Sequence, residues 1–160
     1  MRVSKGPTRR SIRHKGFSAR KTFFLCYRSI DAGWALAIAQ YLRTYGYGAF
    51  LAHQSMTNGP FKKVILKEIR TRAHFLVLLT PTSLDRCKEA EDWLRLEIEQ
   101  ALATKRNIIP VMLEGFDFNT PEIAAKLTGK LALLKEYHGL IVPKQLFEEA
   151  MTRLIEEFLR

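Results

Sequence analysis

At 160 residues, 47% of them hydrophobic and 26% charged, the chain has the length and composition of one soluble globular domain with a full core. No stretch approaches the ~20 apolar residues that cross a bilayer, the longest dense run being Phe75–Leu79, which excludes a helical membrane span. The net charge of +10 would fit a nucleic-acid binder, but residues 1–21 hold eight Lys and Arg and no acid, leaving the rest with 18 bases against 16 acids.

That basic segment, with Gly6, Pro7 and Gly16 and few large apolar side chains, is expected to be a disordered, solvated leader. An arm for nucleic acid or anionic lipid is the disfavoured alternative. It lacks the apolar centre of a secretory signal, and its Arg-rich, acid-free make-up weakly resembles a mitochondrial presequence. The domain is expected over residues 22–160. Cys26 and Cys87 form no Cys-x-x-Cys pair, so both are expected as free thiols in a reducing, cytoplasmic setting.

Thr22 to Tyr27 reads as a strand buried on both faces. A polar turn follows, with Asp31 a candidate N-cap for a helix over Ala32 to Tyr45, in which Trp34, Ile38, Tyr41, Leu42 and Tyr45 form one core-facing stripe. Ala49 to Ala52 is a short second strand, and His53 to Pro60 a loop marked by Asn58-Gly59-Pro60. A second helix starts at Phe61, with Val64, Ile65, Leu66 and Ile69 inward. Ala73 to Thr80 is the third and most hydrophobic strand, followed by an irregular segment to Ala90. A third helix then runs to about Lys105, with Leu94, Ile98, Ala101 and Leu102 on one face and Trp93 and Glu97, four residues apart, at its margin. Asn107 to Leu113 is a fourth strand, locally irregular at Pro110. Residues 114–130 read as loop and weak helix, Leu131 to Val142 as holding a short fifth strand. Phe147, Met151, Leu154, Ile155 and Phe158 line a final amphipathic helix.

Alternating buried strands and helices predict an α/β fold: a doubly wound, flavodoxin-like parallel sheet of five strands with helices on both faces. Such sheets bind ligands beyond the carboxyl ends of their strands, here Tyr27-Arg28, Ala52-His53, Thr80-Pro81 and Leu113-Glu114. The helix carrying Trp93 and Glu97 leaves from the third of these ends, so its first turns should border the same crevice.

Several familiar enzyme signatures are missing. There is no Gly-x-Gly-x-x-Gly after a strand, no Gly-x-x-x-x-Gly-Lys-Ser/Thr and no Gly-x-Ser-x-Gly. The four His are scattered without metal-ligand spacing, so no metal is expected. What remains is an Arg at one strand end, a Gly-containing loop at the next, and an aromatic and a carboxylate on a neighbouring helix. Arg suits a phosphate and an aromatic suits a nucleobase. A lone carboxylate suits glycosidic cleavage in which the leaving group departs without protonation, because its charge stabilises the oxocarbenium-like state. The nicotinamide–ribose bond of NAD meets that condition. Spacing alone leaves other readings open: a solvated surface carboxylate for Glu97, a solvated strand end for Arg28, and plain core for Phe50.

Phe24-Leu25-Cys26-Tyr27-Arg28, Phe50-Leu51, Gly59-Pro60-Phe61, Phe75 to Pro81, Asp92-Trp93-Leu94-Arg95-Leu96-Glu97-Ile98 and Ile108-Ile109-Pro110-Val111, in this order and spacing, resemble a Toll/interleukin-1 receptor (TIR) domain over residues 22–160. The resemblance is nearer to the bacterial and axon-degeneration members that cleave NAD than to animal receptor adaptors. It implies that Glu97 is the catalytic glutamate and that Trp93 helps form the NAD pocket. Arg28 would approach ribose or phosphate at the end of the first strand, beside Tyr27 and with Ser29 at a position often basic in the family. Phe50 would lie near the nicotinamide side. His53, Asn58, Gly59, Pro60 and Phe61 would belong to a loop that gates the site and mediates self-association, although Ala52 and His53 stand where the family often has Asp.

The implied function is NAD nucleosidase activity, giving nicotinamide and ADP-ribose or a cyclic isomer, with NAD as substrate and no cofactor. Activation would come through assembly with other TIR domains, directed by a sensor domain or protein, in immune or cell-death signalling, or antiphage defence in a bacterium. A non-enzymatic TIR–TIR scaffold is the alternative.

Overall fold

The computed structural model describes residues 19–52 and 60–160. The leader up to residue 18, and His53, Asn58 and Gly59, lie outside the described residues. Five strands, β1 (Thr22–Cys26), β2 (Gly48–Leu51), β3 (His74–Leu79), β4 (Asn107–Leu113) and β5 (Leu140–Val142), form one sheet in the order β2-β1-β3-β4-β5, and every pairing is parallel. This is the flavodoxin-like order, whose strand sequence reverses between β1 and β3. The helices are α1 (Ala32–Thr44), α2 (Pro60–Thr71), α3 (Trp93–Ala103), α4 (Pro121–Lys126) and α5 (Phe147–Arg153), the last continuing as a wider π turn over Leu154–Phe158.

Side chains alternate across a strand, so the sheet builds two cores. Phe23, Leu25, Leu76, Leu78, Ile109 and Val111 face α1 and α5, while Phe24, Cys26, Phe75, Val77, Leu79 and Ile108 face α2 and α3. Both faces are covered, and this is why β1 and β3 are apolar at every position but the first. Register places Phe24 opposite Phe50 on one side and Phe75 on the other, and the three rings stack at 5.4 and 5.5 Å between centroids.

Several helical expectations need correction. Asp31 occupies the N-cap position of α1 but makes no capping bond; its carboxylate instead accepts from Thr80 Oγ1 at 3.2 Å, tying the end of β3 to α1. In α1 the buried residues are Ala35, Ile38, Ala39 and Leu42, while Tyr45 is exposed and stacks on Tyr41. Small alanines let α1 lie close to the sheet, which leaves the last turn's tyrosines at its rim. In α2 only Ile65 and Ile69 are buried, and Val64 faces solvent. Pro110 causes no irregularity: β4 pairs with β3 through it, and β5 joins only from Val111, so on that side the prolyl nitrogen meets no ladder. Gly139 precedes β5 because a Cβ there would come within 2.7 Å of Met112 Cε and 3.0 Å of the Pro110 carbonyl.

The fold's contacts reach back before Thr22. The ring of His74 hydrogen-bonds the Arg20 carbonyl through Nε2 at 3.1 Å, and Gly48 donates its N–H to the Lys21 carbonyl at 2.8 Å. No helix among the described residues is long and apolar enough to cross a membrane.

Candidate active site

In a parallel sheet each connecting helix starts at the carboxyl edge and runs back along the strands. The first residues of α2 and α3 therefore stand at the edge where β1 and β3 end. Pro60 and Phe61 open α2 there, both exposed. Trp93 opens α3, half-buried against the core shared with Phe50 and Ala52. Glu97 lies one turn further in.

Glu97 is not at the margin of its helix. With 6% exposure it shares the buried face with Leu94, Ile98 and Ala101, over the side of the sheet that carries Cys26. Burial pushes its carboxyl up to about 8; the adjoining Cys26 thiol and the Arg28 charge pull it down, and Asp92 pushes it up. Among the described residues no Arg, Lys or His forms an ion pair with it. The same carboxylate, after burial, raises the Cys26 thiol well above its ordinary range and lifts the Tyr27 phenol. Glu97, Cys26 and Tyr27 thus form one electrostatic group at the carboxyl end of β1.

Arg28 follows immediately and is buried at 9% exposure. Its Nη1 and Nη2 donate to Asp92 Oδ1 and Oδ2 at 2.6 and 2.8 Å, its Nε to the Ser83 carbonyl at 2.7 Å, and its Nη2 also to Cys87 Sγ at 3.6 Å. Burial alone would lift the Asp92 carboxyl, but the guanidinium outweighs it and holds Asp92 below the usual carboxylate range. Cys87, buried next to Asp92, is pushed up to about 12. Asp92 also caps α3, accepting the Arg95 N–H at 3.1 Å. Arg95 in turn reaches the Cys87 carbonyl at 2.6 Å and Thr128 Oγ1 at 2.9 Å.

The remaining site candidates are more dispersed. Ser29 is exposed in the short turn Ser29–Asp31. Phe50 is half-buried, with Phe24 stacked at 5.4 Å and the Arg72 guanidinium over its ring at 5.8 Å. Asp92, Cys26, Ser83 and Cys87 were not singled out from sequence for the site. Only Asp92 carried a local signal, an Asp directly before a helix. Two grooves of about 490 and 500 Å³ lie elsewhere, one at the amino ends of β3 and β4 beside His74 and Asn107, the other beside β5 along Phe118, Tyr137 and Ile141. Neither includes Glu97 or Trp93, so the chemistry-bearing residues, not these hollows, define the candidate site.

A doubly wound, all-parallel five-stranded sheet with helices on both faces is the fold expected of a TIR domain. The family model described as TIR domain matches residues 23–155, and the chain belongs to that family. Among curated relatives, a Caenorhabditis elegans protein named NAD(+) hydrolase tir-1 is 32% identical over 121 residues, covering 73% of this chain and 12% of that protein. The Drosophila melanogaster NAD(+) hydrolase sarm1 is 28% identical over 141 residues, 86% of this chain and 10% of that protein. The Danio rerio NAD(+) hydrolase SARM1 is 24% identical over 140 residues, 85% of this chain and 19% of that protein. The chain thus spans between a tenth and a fifth of these relatives' length. A solved structure of the Clostridium botulinum CMP N-glycosidase BcmB shares the fold, with a TM-score of 0.54 at 17% identity over 84% of this chain and 99% of that one.

Proposed function

We propose that this domain is an NAD nucleosidase, cleaving the bond between nicotinamide and ribose to release nicotinamide and ADP-ribose or a cyclic isomer. The observation that carries the reading is Glu97: a carboxylate buried at the carboxyl edge of the sheet, without a cationic partner among the described residues, one helical turn from Trp93. The names of the curated relatives support it.

Nicotinamide in NAD is a pyridinium, so the ring leaves neutral once the C1′–N1 bond breaks and its electron pair goes to the ring nitrogen. Positive charge then passes to C1′ and the ribose ring oxygen. A carboxylate held in low dielectric stabilises that charge far better than water would. Water adds to C1′ and releases a proton, giving ADP-ribose; attack by the adenine ring instead closes a cyclic isomer. The pyridinium also favours the anionic form of Glu97, offsetting the burial that raises its carboxyl to about 8. Trp93 offers an aromatic wall, and Tyr27 and Ser29 the groups next to the ribose.

Activation is proposed to follow assembly with other TIR domains through Pro60, Phe61 and the segment before them, directed by a sensor domain or protein. A cytoplasmic immune or cell-death role, or antiphage defence in a bacterium, fits such an enzyme. The test is nicotinamide release from NAD at high protein concentration, with Glu97→Gln as control. Release from the parent chain that falls at least ~100-fold in the variant is expected. Undiminished release in the variant would remove Glu97 from the mechanism, and no turnover even in a forced assembly would make the domain a scaffold.

A further inference from the structure

The expected partner of Arg28 is an anionic part of the substrate, yet the structure gives its guanidinium a different occupation. Both Nη atoms are bonded to the two oxygens of Asp92, at 2.6 and 2.8 Å, and Nε to the Ser83 carbonyl at 2.7 Å. This is the two-point geometry in which Arg holds a carboxylate most firmly. The side chains are 10% and 3% exposed, so a phosphate could take Arg28 only by stranding a buried Asp92 charge.

The partners come from three different segments. Arg28 continues β1, Ser83 and Cys87 belong to the connection between β3 and α3, and Asp92 is the N-cap of α3. Asp92 Oδ2 accepts from Arg28 Nη2, from the Arg95 amide at 3.1 Å and from the Cys87 thiol at 3.4 Å. The residue next to this oxygen's chain is Trp93, and Glu97 follows one turn later. The capped first turn of α3 is therefore fastened directly to the end of β1.

We propose that Arg28 and Asp92 form one positioning unit, a buried clamp that sets Trp93 and Glu97 over the carboxyl end of β1, and that Arg28 is not a substrate contact. The inference rests on reading Glu97 as the reacting carboxylate. A clamp acts on the placement of Glu97 in the transition state, so its loss lowers kcat; a phosphate or ribose contact acts on binding, so its loss raises KM. Arg95 contributes a second tie on the same turn, through the Cys87 carbonyl and Thr128. The charges also fit the site. A lone cation at the N-terminus of α3 would oppose the helix dipole, and Asp92 between them removes that conflict.

The test is a double-mutant cycle on the full chain with Arg28→Lys, Asp92→Asn and both together, measuring kcat and KM for NAD. Lys keeps the charge while losing the fork, which spares the fold the uncompensated Asp92 that a neutral replacement would leave. Each single change is expected to lower kcat by tenfold or more with KM within about twofold, because a misplacement of about 1 Å can cost ~100-fold. The double variant should be no worse than the weaker single one. A several-fold rise in KM at unchanged kcat for Arg28→Lys, or effects that multiply, would overturn the clamp. Hydrogen exchange of the Arg95 amide gives a readout independent of turnover. Exchange at least tenfold faster in Arg28→Lys supports the clamp, and unchanged exchange overturns it. If the parent chain releases no nicotinamide while exchange responds as expected, the proposed reaction fails and the clamp stands.

Discussion

Glu97, on the third helix, and Cys26, the last residue of the first strand, are both removed from solvent on the same side of the sheet. Burial dominates the carboxyl's ionisation and the thiol only moderates it. A carboxyl poised near 8 is costly to keep at neutral pH, which is typical of a group retained for chemistry and not for stability.

That cost is measurable. The folded chain holds a proton on Glu97 up to about pH 8, whereas the unfolded chain releases it near 4.5. Between those values the folded state binds more protons, so stability falls as pH rises through the window and levels off outside it. Glu97→Gln removes the ionisable group and should stabilise the domain by roughly 3 kcal/mol at pH 7, at about 1.36 kcal/mol for each pH unit above 4.5. Urea melts at pH 4.5 and 7.5 check this. Parallel stability curves for the two proteins would show that Glu97 is not protonated in the fold.

Activity should depend on pH in the opposite sense. If the anion stabilises the developing charge, kcat/KM for NAD rises with pH and levels off above about 8, the free-enzyme value for Glu97. Cys26→Ser places a stronger donor against the carboxylate and should move the rising limb to lower pH. A profile flat from pH 6 to 9 in the parent chain, or a limb unmoved by the serine, would contradict the pairing of these two residues.

One variant separates packing from an expected pocket role for Phe50. Its ring is stacked on Phe24 and covered by Arg72, contacts of the kind each worth ~0.5–1.5 kcal/mol. Phe50→Leu should therefore cost about 1–2 kcal/mol in urea denaturation and leave KM for NAD within twofold. A tenfold rise in KM at unchanged stability would return Phe50 to the pocket.

The strands were legible because a sheet covered on both faces leaves runs such as Phe75-Leu76-Val77-Leu78-Leu79 no polar side to show. The right-handed crossovers restricted them to a doubly wound sheet, for which the flavodoxin-like order was the expectation. The bounds of β4 matched, and those of β1 and β3 fell within one residue of the sequence reading. Surface exposure was harder. Val64 and Tyr45 fit the helical period but are exposed, and periodicity does not contain the width of the surface a helix covers.

The sequence by itself determined the elements, their winding, and the pairing of an aromatic with a carboxylate at one-turn spacing, because these depend on local periodicity and backbone sterics. Only the tertiary structure decided that Glu97 is buried and not at a helix margin, that Arg28 is joined to Asp92, and that Asp31 meets Thr80 instead of capping its own helix. Burial and charge pairing depend on which segments the crossovers bring side by side, and residues 49 or 64 positions apart leave no local mark of that meeting.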